Sequence, residues 1–257
     1  MPGKQFDDQV EGHFRADEQQ VMFIRHGESD AHVGKAATHI EEVGLTSLGM
    51  KKALEIASEF SRAPDLIVVS PYLRAWETAV PTIKRFSETP HAIWPEVQEF
   101  TYLGSLAGAF MTKDERRTYV EAYWDRRDPS YKDGDAESFS AFVGRAREAV
   151  EKLRVELKEK NFIVVFTHEQ FIRAVQCLLL LWEKDAENES QCMESFRKML
   201  HDSPLGYGHK DDESWRRHFS RKRDFMQVGF LPEIGQQMDF SQEDPGISTT
   251  YVGRVSR

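Results

Sequence analysis

Short unbroken apolar runs punctuate the first two thirds of the chain, and longer segments of helical period lie between them. Val21, Met22, Phe23 and Ile24 form the first run, Leu66–Val69 in DLIVVS the second, and Phe162–Phe166 in NFIVVF the third; HAIWP, 91–95, is a shorter one. The first three, without polar alternation, predict strands buried on both faces, and HAIWP is a short strand candidate. Leu45, Leu48, Ala53, Leu54, Ala57 and Phe60 recur at helical spacing behind Thr46, a plausible N-cap. Tyr72 to Phe86 reads as helix with Pro81 as a break or kink. Glu137 to Lys158 carries the clearest stripe: Phe139, Phe142, Val143, Ala146, Val150, Leu153 and Leu157. A further helix, THEQFIRAVQCLLLLW, follows the NFIVVF strand directly. Strands alternating with helices predict an α/β fold, a three-layer α/β/α sandwich with a mostly parallel central sheet.

Elsewhere the pattern is weaker. Residues 1–19 lack periodicity and read as a mobile tail, and residues 20–257 as a single domain with a polar, less regular extension after about 183. Between Glu99 and Gly134, charged groups alternate with Tyr119, Tyr123 and Trp124, which predicts short helices over a cleft. In the extension, Ser190 to Leu200 reads as helix, and VGFLPEI or ISTTYVGRV as an edge strand. There is no internal repeat.

Composition narrows the functional classes. The chain has 257 residues and a formal net charge of −9, which argues against non-specific binding to nucleic acid or an anionic membrane. The longest apolar run, Ala174 to Trp182, falls short of the roughly 20 residues of a membrane span. The polar N-terminus lacks a signal-like apolar core, so a cytoplasmic location is expected. Two cysteines exclude a disulfide framework, and Cys177 reads as a core thiol. The stripe Leu178 to Leu181 reads as core, with a homodimer face as the alternative. RRHFSRKR at 216–223 reads as a solvated run beside Asp211 to Glu213. An anionic ligand would therefore need a local cationic pocket.

Such a pocket is foreshadowed at the strand ends, where open parallel sheets bind ligands. Arg25-His26-Gly27-Glu28 follows the first strand, Ser70-Pro71-Tyr72-Leu73-Arg74-Ala75 the second, and Thr167-His168-Glu169 the NFIVVF strand. If those strands are neighbours, Arg25, His26, Arg74 and His168 converge on one crevice. Two guanidinium forks and two imidazoles suit a phosphate dianion, and a helix starting near His168 would add its N-terminal amides. No metal-ligand spacing exists among the nine histidines; HExxH and CxxC are absent.

With Leu45-Thr46 and Gly49, Thr78-Ala79, Glu99 and Glu137-Ser138, these residues make the chain resemble the histidine phosphatase superfamily, which includes the phosphoglycerate mutases. The resemblance covers about residues 20–182. It implies that His26 is a nucleophile forming a phosphohistidine, and that Arg25, Arg74 and His168 hold the phosphoryl oxygens. It makes Glu99 the general acid and then the base, with Glu96 a nearby competitor. It implies no metal and no cofactor. Many members carry Asn where His32 stands, a position that lines the substrate pocket. Small residues usually follow the second histidine; here Glu169 puts a carboxylate near a phosphate site, unfavourable unless it points away. The mutase-type segment after the acid is replaced by Phe100, Thr101 and Tyr102. Arg116 and Arg117 are candidates for binding a second anionic group of the substrate. The expected function is a metal-independent phosphomonoesterase acting on a small phosphorylated metabolite or phosphopeptide. The alternatives are a phosphoglycerate mutase-like phosphotransferase and a weakly catalytic phosphate-binding domain.

Overall fold

The computed structural model describes residues 19–30, 40–106, 113–182, 189–202 and 225–230. The predicted strands form β1 (Gln19–Arg25), β2 (Leu66–Val69), β3 (His91–Ile93) and β4 (Phe162–Thr167), and β5 (Phe225–Phe230) joins them. Their order is β3-β2-β4-β1-β5. The first four are parallel: Val21 sits opposite Ile163, Leu66 opposite the same Ile163, and Ile67 opposite His91. β5 runs antiparallel along the outer edge of β1, with Val21 opposite Val228. The expected edge strand at VGFLPEI is therefore present but begins earlier, at Phe225; ISTTYVGRV lies outside the described residues.

The helices are α1 (Ser47–Glu59), α2 (Leu73–Arg85), α3 (Lys113–Asp125), α4 (Phe139–Glu156), α5 (Glu169–Trp182) and α6 (Glu189–Asp202). Strand residues alternate between two cores, as the period of two requires. Val21, Phe23, Leu66, Val68, Ile163 and Val165 pack with residues of α4 and α5. Ile24, Ile67, Val69, Phe162, Val164 and Phe166 pack with Ile56 of α1 and Ala79 of α2. This is the three-layer sandwich read from the sequence. Each fully buried large apolar side chain contributes about 1.5–3 kcal/mol, so the sheet's two faces hold the strand ends in fixed register.

Local signals account for the helix starts. Thr46 caps α1, its hydroxyl accepting from the Gly49 amide at 3.1 Å. Ser138 caps α4 in the same way through the Ala141 amide. α2 runs through Pro81, whose missing N–H leaves one rung unmade.

Two expectations need correcting. Leu48 and Leu54 are 54% and 64% exposed, not part of the buried stripe of α1. At 3.6 residues per turn they lie roughly 140° and 100° from Ala53, whereas Gly49, Ile56 and Ala57 lie within about 60° of it. Among the described residues of the 99–134 segment, one helix of 13 residues, α3, stands where a set of short helices was expected, with a 3-10 turn at Gly104–Leu106. Tyr123 and Trp124 at its end are buried, packing against Tyr102 and Phe100. Further on, α6 inserts Phe196 between Trp124, Phe139 and Phe142. Within the extension, α6 thus completes the core. Cys177 and Cys192 are both buried and unbridged. Among the described residues no helix is long and apolar enough to cross a membrane.

Candidate active site

The strand order places β4 between β1 and β2, so Arg25-His26, Thr167-His168 and Ser70 emerge side by side at the carboxyl edge of the sheet. The ladder extends one step past each strand. The His26 amide donates to the Thr167 carbonyl at 2.9 Å, and the Ser70 amide to the Phe166 carbonyl at 2.9 Å. The turn after β1 is tight. A Cβ on Gly27 would come within 2.9 Å of the Gly49 carbonyl oxygen, and one on Gly49 would collide with the Glu28 carbonyl oxygen. Only glycine at both positions allows the start of α1 to press against this turn. Glu28 is fastened to it through the Thr46 hydroxyl, at 2.7 Å. The Gly27 amide donates to Thr78 Oγ1 at 3.0 Å, tying the turn to α2.

Arg25, His26, Arg74 and His168 do come together. The side chains of His26, Arg74 and His168 are buried. The two imidazole centroids are 5.1 Å apart. His26 Nδ1 lies 2.8 Å from the Gly27 carbonyl oxygen, an acceptor, so Nδ1 carries the proton. Arg74 Nε–H points at His26 Nε2 at 3.1 Å. A guanidinium cannot accept, so Nε2 carries the lone pair. Two hydrogen bonds thereby select one tautomer of His26 and face its lone pair to a cation. Arg74 is fixed in turn by the Ile40 carbonyl at 2.7 Å and by the Tyr72 ring, 4.9 Å from the guanidinium carbon.

His168 is wholly buried. Its Nε2 meets Ser70 Oγ at 2.7 Å, its ring lies edge-on to Tyr72 at 5.1 Å, and its Nδ1 has no partner among the described residues. Burial, then His26, Arg74 and Arg25, press its pKa well below the ordinary value, so it stays neutral at pH 7. An unsatisfied buried ring nitrogen beside a second imidazole is costly unless a ligand meets it.

Glu99 sits half-buried at the start of an irregular stretch. Burial raises its pKa to about 7 against the pull of Arg74 and Arg25, and Glu169 adds to the rise. Its Oε1 accepts from the Phe100 amide at 3.0 Å. Glu96 has a different environment. Partial burial would raise it, but the Lys152 ammonium at 2.7 Å holds it below the usual carboxylate range. Of the two carboxylates, Glu99 feels the arginines of the cluster and can carry a proton at neutral pH. Glu169 does not point away: its Oε2 lies 3.1 Å from Arg25 Nη2.

Tyr72 and Ser70, to which the sequence alone assigned no role, contact the cluster through His168 and Arg74. Both lie in the quoted SPYLRA stretch, but their partner, His168, is about a hundred positions away. His32 lies outside the described residues. Arg116 and Arg117 are exposed on α3. Among the described residues no group of three or more His, Cys, Asp or Glu side chains could hold a metal ion.

Comparison with known proteins bears on the fold and the family. A metal-independent phosphoserine phosphatase of Arabidopsis thaliana is 27% identical over 161 residues, covering 61% of this chain and 66% of that protein, just under two thirds of its length. A mycobacterial glucosyl-3-phosphoglycerate phosphatase superposes with a TM-score of 0.55 at 22% identity, over 68% of this chain and 84% of its own. A phosphoserine phosphatase of Entamoeba histolytica, solved with phosphoserine, gives 0.52 at 21% identity, over 69% of this chain and 84% of its own. These structural likenesses establish a shared fold. Residues 21–195 match the histidine phosphatase superfamily (branch 1), and the chain belongs to that family.

Proposed function

We propose that the chain is a metal-independent phosphomonoesterase that works through a phosphohistidine on His26. The observation that carries this reading is the pair of hydrogen bonds on His26, Nδ1–H to the Gly27 carbonyl and Arg74 Nε–H to Nε2. They leave a deprotonated, oriented nucleophile at a guanidinium that can turn to a phosphoryl oxygen.

In the first step Nε2 attacks phosphorus and the ester P–O bond breaks. Glu99, protonated for much of the time at neutral pH, gives its proton to the leaving oxygen. Arg25, Arg74 and the unpartnered Nδ1 of His168 receive the three phosphoryl oxygens. Ser70 can donate to His168 Nε2, which puts the ring proton on Nδ1, where a phosphoryl oxygen can use it. In the second step water attacks the phosphohistidine and the N–P bond breaks. The water proton returns to Glu99, restoring the enzyme. The arginines supply the charge neutralisation that a metal supplies elsewhere.

The substrate is a small phosphorylated metabolite or phosphopeptide. Phosphoserine is the first compound to test, because the Arabidopsis relative is named for it. Arg116, Arg117 and His32 are assigned to the substrate side of the pocket, and the enzyme to the cytoplasm. Phosphate release with EDTA present is expected for the wild type. An acid-labile phosphoenzyme should be trapped on wild type and be lost in His26→Ala. Near-wild-type turnover by a folded His26→Ala variant would overturn the reading.

A further inference from the structure

Glu99 lies in a stretch without regular hydrogen-bonded structure of its own. Its backbone follows the 3-10 turn Pro95–Val97 and leads into an irregular segment. A proton donor must nevertheless be held to within a fraction of an ångström to be useful, and the sheet does not do this. The structure assigns that task to Arg145 on α4, acting as a positioning residue for Glu99. This inference rests on the reading of Glu99 as the acid.

Four N–H groups of the Arg145 guanidinium are used, on two different segments. Nε and Nη2 form a fork on the carboxylate of Glu137, at 2.9 and 2.7 Å. Nη1 donates to the carbonyls of Glu96 and Gln98, at 2.8 and 2.9 Å. Gln98 immediately precedes Glu99. The residue after Glu99 is held by the same helix: the Phe100 ring stacks on Phe142 with centroids 4.3 Å apart and planes 11° from parallel. The Arg145 guanidinium covers Phe142 at 5.1 Å from its centroid. One more bond closes the arrangement, from the Glu137 amide to the Thr101 carbonyl at 3.2 Å. Both neighbours of Glu99 are thus clamped to α4.

The geometry demands arginine. Two carbonyls and one carboxylate lie around a single planar group, and each needs its own donor. Lysine keeps the charge but has one nitrogen and cannot span both segments. Removing the donors would leave two carbonyls competing for other partners and would free the backbone on which Glu99 is mounted. The side chain touches no reacting atom, and lysine keeps the positive charge whose field also reaches His168, so the effect of Arg145→Lys should appear chiefly where Glu99 is needed.

The test uses two esters and the full chain. Glu99→Gln should slow an alkyl phosphate far more than a nitrophenyl phosphate, whose leaving oxygen needs no proton. Arg145→Lys should show the same selectivity, losing on the order of 100-fold on the alkyl ester and only a few-fold on the aryl ester. In a Glu99→Gln background, Arg145→Lys should add almost nothing, because both act through one proton transfer. Glu137→Gln, which keeps the shape of the fork partner and removes its charge, should reproduce the selectivity in weaker form. It decides the matter if Arg145→Lys does not fold, as judged by circular dichroism and thermal melting. Equal losses on both esters in folded variants, or full additivity with Glu99→Gln, would overturn the role of Arg145. If Glu99→Gln itself is unselective, the acid reading fails and the Arg145 role with it; a selective Glu99→Gln beside unselective clamp variants refutes the clamp alone.

Discussion

Glu99→Gln should make the protein more stable above neutral pH while making it a poorer enzyme. The pKa of Glu99 is raised from 4.5 to about 7 in the fold, chiefly by burial. A raised carboxyl pKa means that the native state holds its proton more tightly than the unfolded chain does. Below about pH 4.5 both states are protonated and the group costs nothing. Between 4.5 and about 7 the unfolded chain ionises first, and native stability falls as the pH rises. Above about pH 7 the whole penalty is present. At about 1.4 kcal/mol per pH unit, the difference between the two values amounts to about 3 kcal/mol. That is a large fraction of the roughly 5–15 kcal/mol that holds a typical domain together. The substituted amide would keep an oxygen to accept from the Phe100 N–H but would carry no charge.

The assay is urea unfolding of wild type and variant at about pH 5 and about pH 8, with the midpoint and slope fitted separately. The variant's advantage should be small at the lower pH and grow to between one and about 3 kcal/mol at the higher. An active-site group retained at a cost to stability is what a stability–activity trade-off requires. If the stability difference is the same at both pH values, Glu99 titrates normally, and its fitness as an acid at neutral pH has no basis.

Three further outcomes follow from the site. Arg74→Lys and His168→Gln should each lower turnover on the order of 100- to 1,000-fold, measured with saturating aryl phosphate; losses under tenfold would place either residue outside the transition state. Glu169→Gln should free the Arg25 fork from its ion pair at 3.1 Å and strengthen inhibition by inorganic phosphate, read as a lower inhibition constant; weaker inhibition would mean that Glu169 instead holds Arg25 in its productive position. Replacing Arg116 and Arg117 together by Ala should raise KM for a doubly anionic ester and leave a neutral-tailed ester unchanged; equal responses would show the pair to be solvated on α3.

The sequence alone determined the layout of this protein. Unbroken apolar runs such as Leu66–Val69, four residues long and bounded by polar or turn residues, read as strands covered on both faces, and the helical stripes between them supply the covers. Thr46 as a cap and the placing of His26, Arg74 and His168 just past strand ends are equally local, because a strand end carries its loop with it. What the pattern could not resolve depends on groups far apart in the chain. Leu48 and Leu54 look like core until the neighbours of α1 show which arc of the helix they cover. Glu96 and Glu99 are three residues apart and indistinguishable as letters. Only the fold gives one of them Lys152 and exposes the other to the fields of Arg74, Arg25 and Glu169. Glu169 looked misplaced beside a phosphate site until the structure turned it onto Arg25. Arg145 is one of several arginines on a helix until four of its N–H groups meet three residues from two other segments. Apolar periodicity is a property of one element and survives in the sequence. Charge, tautomer and proton affinity are set by whatever surrounds a group in space, and only the packed sheet and its helices decide that.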